Sequence, residues 1–168
     1  MFKKEYLASY IKWGVISAIA FCIPMIIFIS SNQYSSTWWL FVGNGLFLVA
    51  IALYMLELNK SKGENASTQT MVAAGHVATV VGIIISCIVA FIVLSVMAPD
   101  IFSSGQSDKV MEDAPAQTGT GSTHGLVFFV FMNAIIGNVC GGSFSSIMVP
   151  YTARKNQTKD RKSEVLNN

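Results

Sequence analysis

The sequence predicts an all-α integral membrane protein with four transmembrane helices. Apolar residues make up 52 % of the 168-residue chain and charged residues only 12 %, about half the charged share of a typical soluble domain. No charged residue occurs between Lys12 and Glu57, between Glu64 and Asp100, or between Asp113 and Arg154. These stretches exceed the roughly 20 residues that cross a hydrocarbon layer of about 30 Å, and they lack the alternation typical of a membrane β-barrel.

Each apolar stretch is assigned to a crossing by its length. The first two crossings are predicted at residues 13–30 and 38–56, which span about 27 to 29 Å at 1.5 Å per residue. The third and fourth are predicted at 71–97 and 124–149 and would span about 39 to 41 Å. These two therefore tilt or extend beyond the hydrocarbon.

The segments outside the crossings are polar. Residues 98–123 form the predicted external loop, and 59–70 form a cytoplasmic link. We divide the chain into a four-helix transmembrane domain, 1–154, and a polar, charged cytoplasmic tail, 155–168.

Basic residues alternate with the crossings and predict the orientation. Ten of the eleven Lys and Arg residues lie in the N-terminal segment, the 59–70 link and the C-terminal stretch from Arg154 onward. The positive-inside rule places these three segments in the cytoplasm. The chain is therefore predicted to form two antiparallel hairpins with both termini cytoplasmic. Arg154 and Lys155 are predicted to contact lipid headgroups.

Small residues recur at four-residue spacing in the third and fourth crossings. Such rows let a second helix approach closely, gaining van der Waals contact that lipid cannot match. The two rows could meet within one hairpin, or one of them could face another protein. The span-three row is Ala74, Ala78, Gly82, Ser86 and Ala90, and the span-four row is Asn133, Gly137, Gly141 and Ser145.

Polar side chains are concentrated in the fourth crossing. Asn133, Asn138 and Ser143 need partners in hydrocarbon, and Asn44 of the second crossing is predicted to pair with Asn133 because both lie in the outer half. One interpretation is interhelical hydrogen bonding, worth about 0.6 kcal/mol per contact. The other is a polar lining for a solute path. Glycines near 141–142 also favour a kink there.

Residues suited to catalysis or cofactor binding are not grouped in this sequence. No Asp, Glu, Lys or Arg lies deep inside a crossing, and no phosphate loop, nucleophile elbow or His-Glu metal motif occurs. His76 and His124 fall at opposite ends of their crossings, too far apart to ligate one haem. The sequence thus predicts no enzyme, no cofactor, no metal site and no nucleic-acid partner.

The entry Lys12-Trp13-Gly14 and the stretch 141–147 closing on Arg154-Lys155 resemble small bacterial four-span membrane proteins of unknown function. This resemblance implies the bacterial cytoplasmic membrane and carries no site residues. We expect a non-catalytic accessory or structural subunit, packed through its small-residue faces against other membrane subunits or itself. The alternative is an oligomeric channel or facilitator lined by the polar residues of the fourth crossing.

Overall fold

A computed structural model describes residues 4–31, 36–62, 68–97 and 124–153 of the chain. Helical structure accounts for nearly all of these residues. The first three helices are continuous, and the fourth span has three consecutive parts. The helices are α1 (Lys4–Ser30), α2 (Trp38–Lys62), α3 (Thr68–Met97), and a fourth span made of α4 (His124–Met132), a π-helical segment (Asn133–Gly137) and α5 (Asn138–Ala153).

All four spans are long and apolar enough to cross a membrane, as the sequence predicted. The helices nevertheless extend beyond the predicted crossings: α1 begins at Lys4 instead of residue 13, and α2 continues to Lys62 instead of ending at residue 56. Helical hydrogen bonds do not stop at the hydrocarbon boundary. Long basic side chains such as Lys12 and Lys60 can extend toward the headgroups while their backbone stays helical.

The four spans form a bundle in which α1 and the fourth span lie diagonally opposite. Both pack along α2 and α3. The Trp13 ring stacks on the Tyr54 ring with centroids 5.7 Å apart, and Phe21 contacts the backbone of α2 at Gly43. Large apolar side chains fill the interior, including Phe21, Met25, Phe28, Phe47, Ile51, Met55 and Leu94.

The outside of the bundle is as apolar as its inside. Ile23, Ile84, Ile88 and Phe91 are each 54 to 56 % exposed. In water this apolar surface would be far larger than a soluble monomer carries, whereas lipid solvates it readily. Among the described residues, the buried polar side chains are Ser, Thr and Asn only, without a charged group.

The span-three row lies inside the bundle, with all five of its residues buried. A Cβ at Gly82 would come within 3.0 Å of the Phe47 ring and closer still to the Ser17 hydroxyl. Gly14 of α1 approaches Val81 and the carbonyl of Ala78 in the same way. This row therefore packs inside the bundle, against α1 and α2.

The fourth span changes its winding ahead of the two adjacent glycines. The helix α5 runs through Gly141 and Gly142 without a break, and a bend at these glycines stays a prediction. The π-helical segment lies at Asn133–Gly137, where the N–H of Asn138 donates to the carbonyl of Asn133, five residues back, and to that of Ile135.

Candidate functional site

A groove runs between α2 and the fourth span and opens sideways from the bundle. Its volume is about 650 Å³, and its walls are almost entirely apolar. This is within the usual size range of binding sites. Its lining residues are Phe41, Asn44, Gly45, Leu48, Phe128, Phe129, Met132, Asn133, Ile136, Gly137 and Gly141.

An amide pair joins the two helices at the groove. Nδ2 of Asn44 donates to Oδ1 of Asn133 at 3.0 Å, which confirms the predicted pairing. Nδ2 of Asn133 donates to the carbonyl of Phe129, one turn earlier, at 2.9 Å. Oδ1 of Asn44 is buried and has no hydrogen-bond partner among the described residues. Hydrocarbon cannot solvate these amides, so the hydrogen bond between them links the two helices at this depth.

Glycines form the floor of the groove. A Cβ at Gly137 would overlap the Asn44 amide, and one at Gly141 would lie 3.2 Å from the Leu48 side chain. These two glycines let the fourth span approach α2 closely. Gly45 differs, because a Cβ there would have no described atom within 4 Å. The backbone at Gly45 is therefore open to a molecule that enters from the side.

The fourth span meets α3 through a different set of residues. A Cβ at Gly142 would overlap the Thr79 side chain, and one at Gly75 would overlap Ser146. Both hydroxyls are turned back onto their own helices: Thr79 donates to the carbonyl of Gly75 at 2.9 Å, and Ser146 to that of Gly142 at 2.6 Å. At each of these two contacts, a glycine of one helix thus faces a hydroxyl residue of the other.

The small-residue row of the fourth span faces α2, where Ser145 Oγ donates to the carbonyl of Leu48 at 3.0 Å. Gly137, Gly141 and Ser145 therefore do not meet the small-residue row of α3, which the sequence had left possible. Adjacent helical residues point about 100° apart, so Gly141 faces α2 while Gly142 faces α3. Sequence reasoning missed the row that meets α3, although its members repeat with the same four-residue spacing: Asn138, Gly142, Ser146 and Pro150, all buried.

The polar residues proposed as a lining separate into two places. Asn44 and Asn133 lie at the groove, while Asn138 is fully buried and Ser143 is half-buried outside the groove lining. Nδ2 of Asn138 donates to the carbonyl of Ala134 at 3.1 Å. Its Oδ1 has no hydrogen-bond partner within the described part of the chain. These four residues do not form one continuous polar surface.

Histidine and cysteine side chains are dispersed. Nδ1 of His76 donates to the carbonyl of Val72 at 2.8 Å. Cys22 is buried, Cys87 is half-buried and Cys140 is exposed. Across the described ranges, no three His, Cys, Asp or Glu side chains are grouped as metal ligands would be.

Several predicted features lie outside the described residues. They are the loop 98–123, the tail 155–168, the headgroup contacts of Arg154 and Lys155, and the side chain of His124.

Comparison with known proteins adds no assignment. No protein-family model matches the sequence, and no curated protein or solved structure is similar enough to count as a match.

Proposed function

We propose that this chain is a non-catalytic membrane subunit that holds a transmembrane helix of a partner protein in the groove between α2 and the fourth span. The open backbone at Gly45 carries the proposal. The small-residue rows of the third and fourth spans pack against other helices of the bundle, whereas the backbone at Gly45 remains uncovered within the described structure. A non-catalytic role accords with the apolar lining, in which two neutral amides supply the polar groups.

A helix fits this groove better than lipid chains do. The groove has a glycine floor at Gly45 and Gly141 and aromatic walls at Phe41 and Phe128. A helix with bulky apolar side chains would insert them between the aromatic rings while its backbone approaches the glycines. Helices in membranes associate through such packing, because hydrophobic burial alone gives them no advantage over lipid.

The proposal is tested by filling the groove from this chain's own side. Gly45→Leu places a branched side chain beside α2, at a position where a Cβ has no described atom within 4 Å. Val49→Leu, one turn along α2 at a side chain that is 50 % exposed, is the matched control. Purification in mild detergent should recover a defined partner with the parent chain and with Val49→Leu, and at least tenfold less with Gly45→Leu. Equal recovery from all three, or recovery of the chain alone in several mild detergents, would contradict the proposal.

We also propose the finer topology: two antiparallel hairpins in a bacterial cytoplasmic membrane, with both termini in the cytoplasm. The basic residues support the orientation. The hairpins are supported by the contacts of Trp13 with Tyr54 and of Gly75 with Ser146, each of which joins the start of one helix to the end of the next. A cysteine at Ser104 should be labelled from outside and one at Ser163 only after permeabilisation. Labelling of both from one side would refute this topology.

An oligomeric channel is the second candidate, favoured by the position of the Asn44–Asn133 pair at a lateral opening. Because large apolar side chains fill the bundle, such a path would lie between copies of the chain. Purified protein reconstituted alone into vesicles should then conduct or transport, and Asn133→Leu should abolish this activity. A lack of conduction by an oligomeric preparation would exclude the channel.

A further inference from the structure

We infer that the π-helical segment Asn133–Gly137 is a register switch in the fourth span, and that the Asn138 side chain holds it in the π state. The inference concerns how α4 is turned relative to α5. It goes beyond the proposed docking role and does not depend on it.

The π turn leaves one backbone carbonyl, that of Ala134, without the backbone donor that it would have in an α-helix. The N–H of Asn138 donates to the carbonyls of Asn133 and Ile135. It bypasses the carbonyl of Ala134, which lies between those two acceptors and would be its partner in an α-helix. This is the carbonyl to which Nδ2 of Asn138 donates, at 3.1 Å.

The Asn138 amide therefore replaces a missing backbone donor. Asn138 and Ala134 are both fully buried, where an unsatisfied carbonyl costs several kcal/mol because water is excluded. π turns are rare and frequently occur at functional sites. This one persists where a side chain four residues later supplies the lost hydrogen bond.

The π turn also determines where Asn133 points. Residues five apart lie about 140° apart around an α-helix, so Asn133 and Asn138 could not both face inward in regular winding. A five-residue turn brings them onto the same side, and both are more than nine-tenths buried. The second hydrogen bond that stabilises the π state is thus the one between Asn44 and Asn133.

The alternative state is a continuous α-helix. In it the N–H of Asn138 donates to Ala134, and the segment from His124 to Met132 turns by about 100° and shifts by about 1.5 Å relative to α5. All seven residues from Leu126 to Met132 are apolar, so the rotation exchanges one apolar side chain for another at each position. The 26 residues between Met97 and His124 leave the chain long enough to accommodate it. The Asn44–Asn133 hydrogen bond is lost, and the buried side chains of Leu126 and Val130 are replaced in the core by neighbouring apolar side chains.

A change of register would reshape the groove. Phe128, Phe129 and Met132 form one of its walls, and all three lie on the segment that turns. If a partner helix binds there, its binding and the register of the fourth span are coupled. This consequence alone rests on the proposed function.

The switch is tested with the full chain in lipid nanodiscs, by measuring distances between spin labels. One pair joins positions 128 and 84, and the control pair joins positions 144 and 84; all three side chains are 54 to 63 % exposed. Asn138→Leu removes the substitute donor and should shift the 128–84 distance by up to about 8 Å, the displacement of a side chain at a radius of about 5 Å turned by 100°. The 144–84 distance should not change.

A one-residue deletion separates this effect from general damage. Deleting Ile135, a lipid-facing residue that is 44 % exposed, converts the π turn to regular winding and gives the carbonyl of Ala134 a backbone donor again. Asn138→Leu should then change neither distance. A parent-like 128–84 distance in Asn138→Leu, or an equal shift with and without the deletion, would overturn the inference. Misfolding of Asn138→Leu that the deletion rescues supports it, and misfolding in both backgrounds overturns it.

Discussion

The hydrogen bond between Asn44 and Asn133 gives a prediction that a double-mutant cycle can measure. Asn44→Ala leaves Oδ1 of Asn133 without its donor, and Asn133→Ala leaves the Asn44 amide without its partner at 3.0 Å. An unsatisfied buried polar group costs about 1 to 3 kcal/mol. Each single variant should therefore lower the free energy of unfolding by about 1 to 2 kcal/mol.

The double variant should be less destabilised than the sum of the two single variants. Interhelical hydrogen bonds in membranes contribute on average about 0.6 kcal/mol and at most about 1.7. We expect the coupling energy to fall in this range. Asn133 is only 8 % exposed, so little lipid or water competes for the bond. We therefore expect a coupling energy above the average.

The assay is reversible unfolding in mixed micelles, followed by the near-ultraviolet circular dichroism of Trp13 stacked on Tyr54. Asn44→Ala combined with Ser17→Ala is the control cycle, because Ser17 belongs to α1 and donates to the carbonyl of Gly14. Separated residues should couple by less than about 0.5 kcal/mol. If the Asn44–Asn133 coupling is no larger than in this control, the pair does not hold α2 and the fourth span together.

Three further predictions concern glycine packing, a hydroxyl contact between helices and the basic tail. Gly82→Ala should destabilise the bundle by about 1 to 3 kcal/mol through overpacking against Phe47. Gly45→Ala, with open space around it, should change stability by less than about 0.5 kcal/mol. Equal effects of the two variants in thermal unfolding would refute the close packing of Gly82 against Phe47. Ser145→Ala should cost about 0.6 kcal/mol by removing the hydrogen bond to Leu48, and Thr152→Ala, at an exposed site, should cost less in the same assay. Neutralising Arg154, Lys155, Lys159, Arg161 and Lys162 should weaken the tail's association with anionic vesicles by roughly 1 kcal/mol per charge, and unchanged binding in a sedimentation assay would refute headgroup contact.

The spans were predictable because crossing a membrane demands a property that sequence displays directly. An uncharged apolar stretch of about 20 residues or more indicates a membrane-spanning helix. The observed helices contain all four predicted crossings. The pairing of Asn44 with Asn133 was also predictable, since residue counts place both amides at similar depth. The position of a residue along a helix, and so its depth in the membrane, can be estimated by counting residues from the end of the span.

In contrast, the sequence does not predict which neighbouring helix each face of a span packs against. Four-residue spacing defines two rows on the fourth span, through Gly141 and through Gly142, and periodicity does not say which row faces α2. The π segment has no sequence signature of its own. It follows from the need of Asn133 and Asn138 to face inward together, and this becomes visible only when the hydrogen bonds of Asn138 and Ala134 are traced.

Photo-cross-linking from the groove tests the central claim most directly. A benzophenone side chain at position 128, whose native Phe is 63 % exposed on the groove wall, should cross-link in native membranes to one defined partner protein. The same group at position 84, on the lipid-facing side of α3, should not. Cross-links from position 128 to lipid alone, or equal protein cross-linking from both positions, would contradict the docking of a partner helix in this groove.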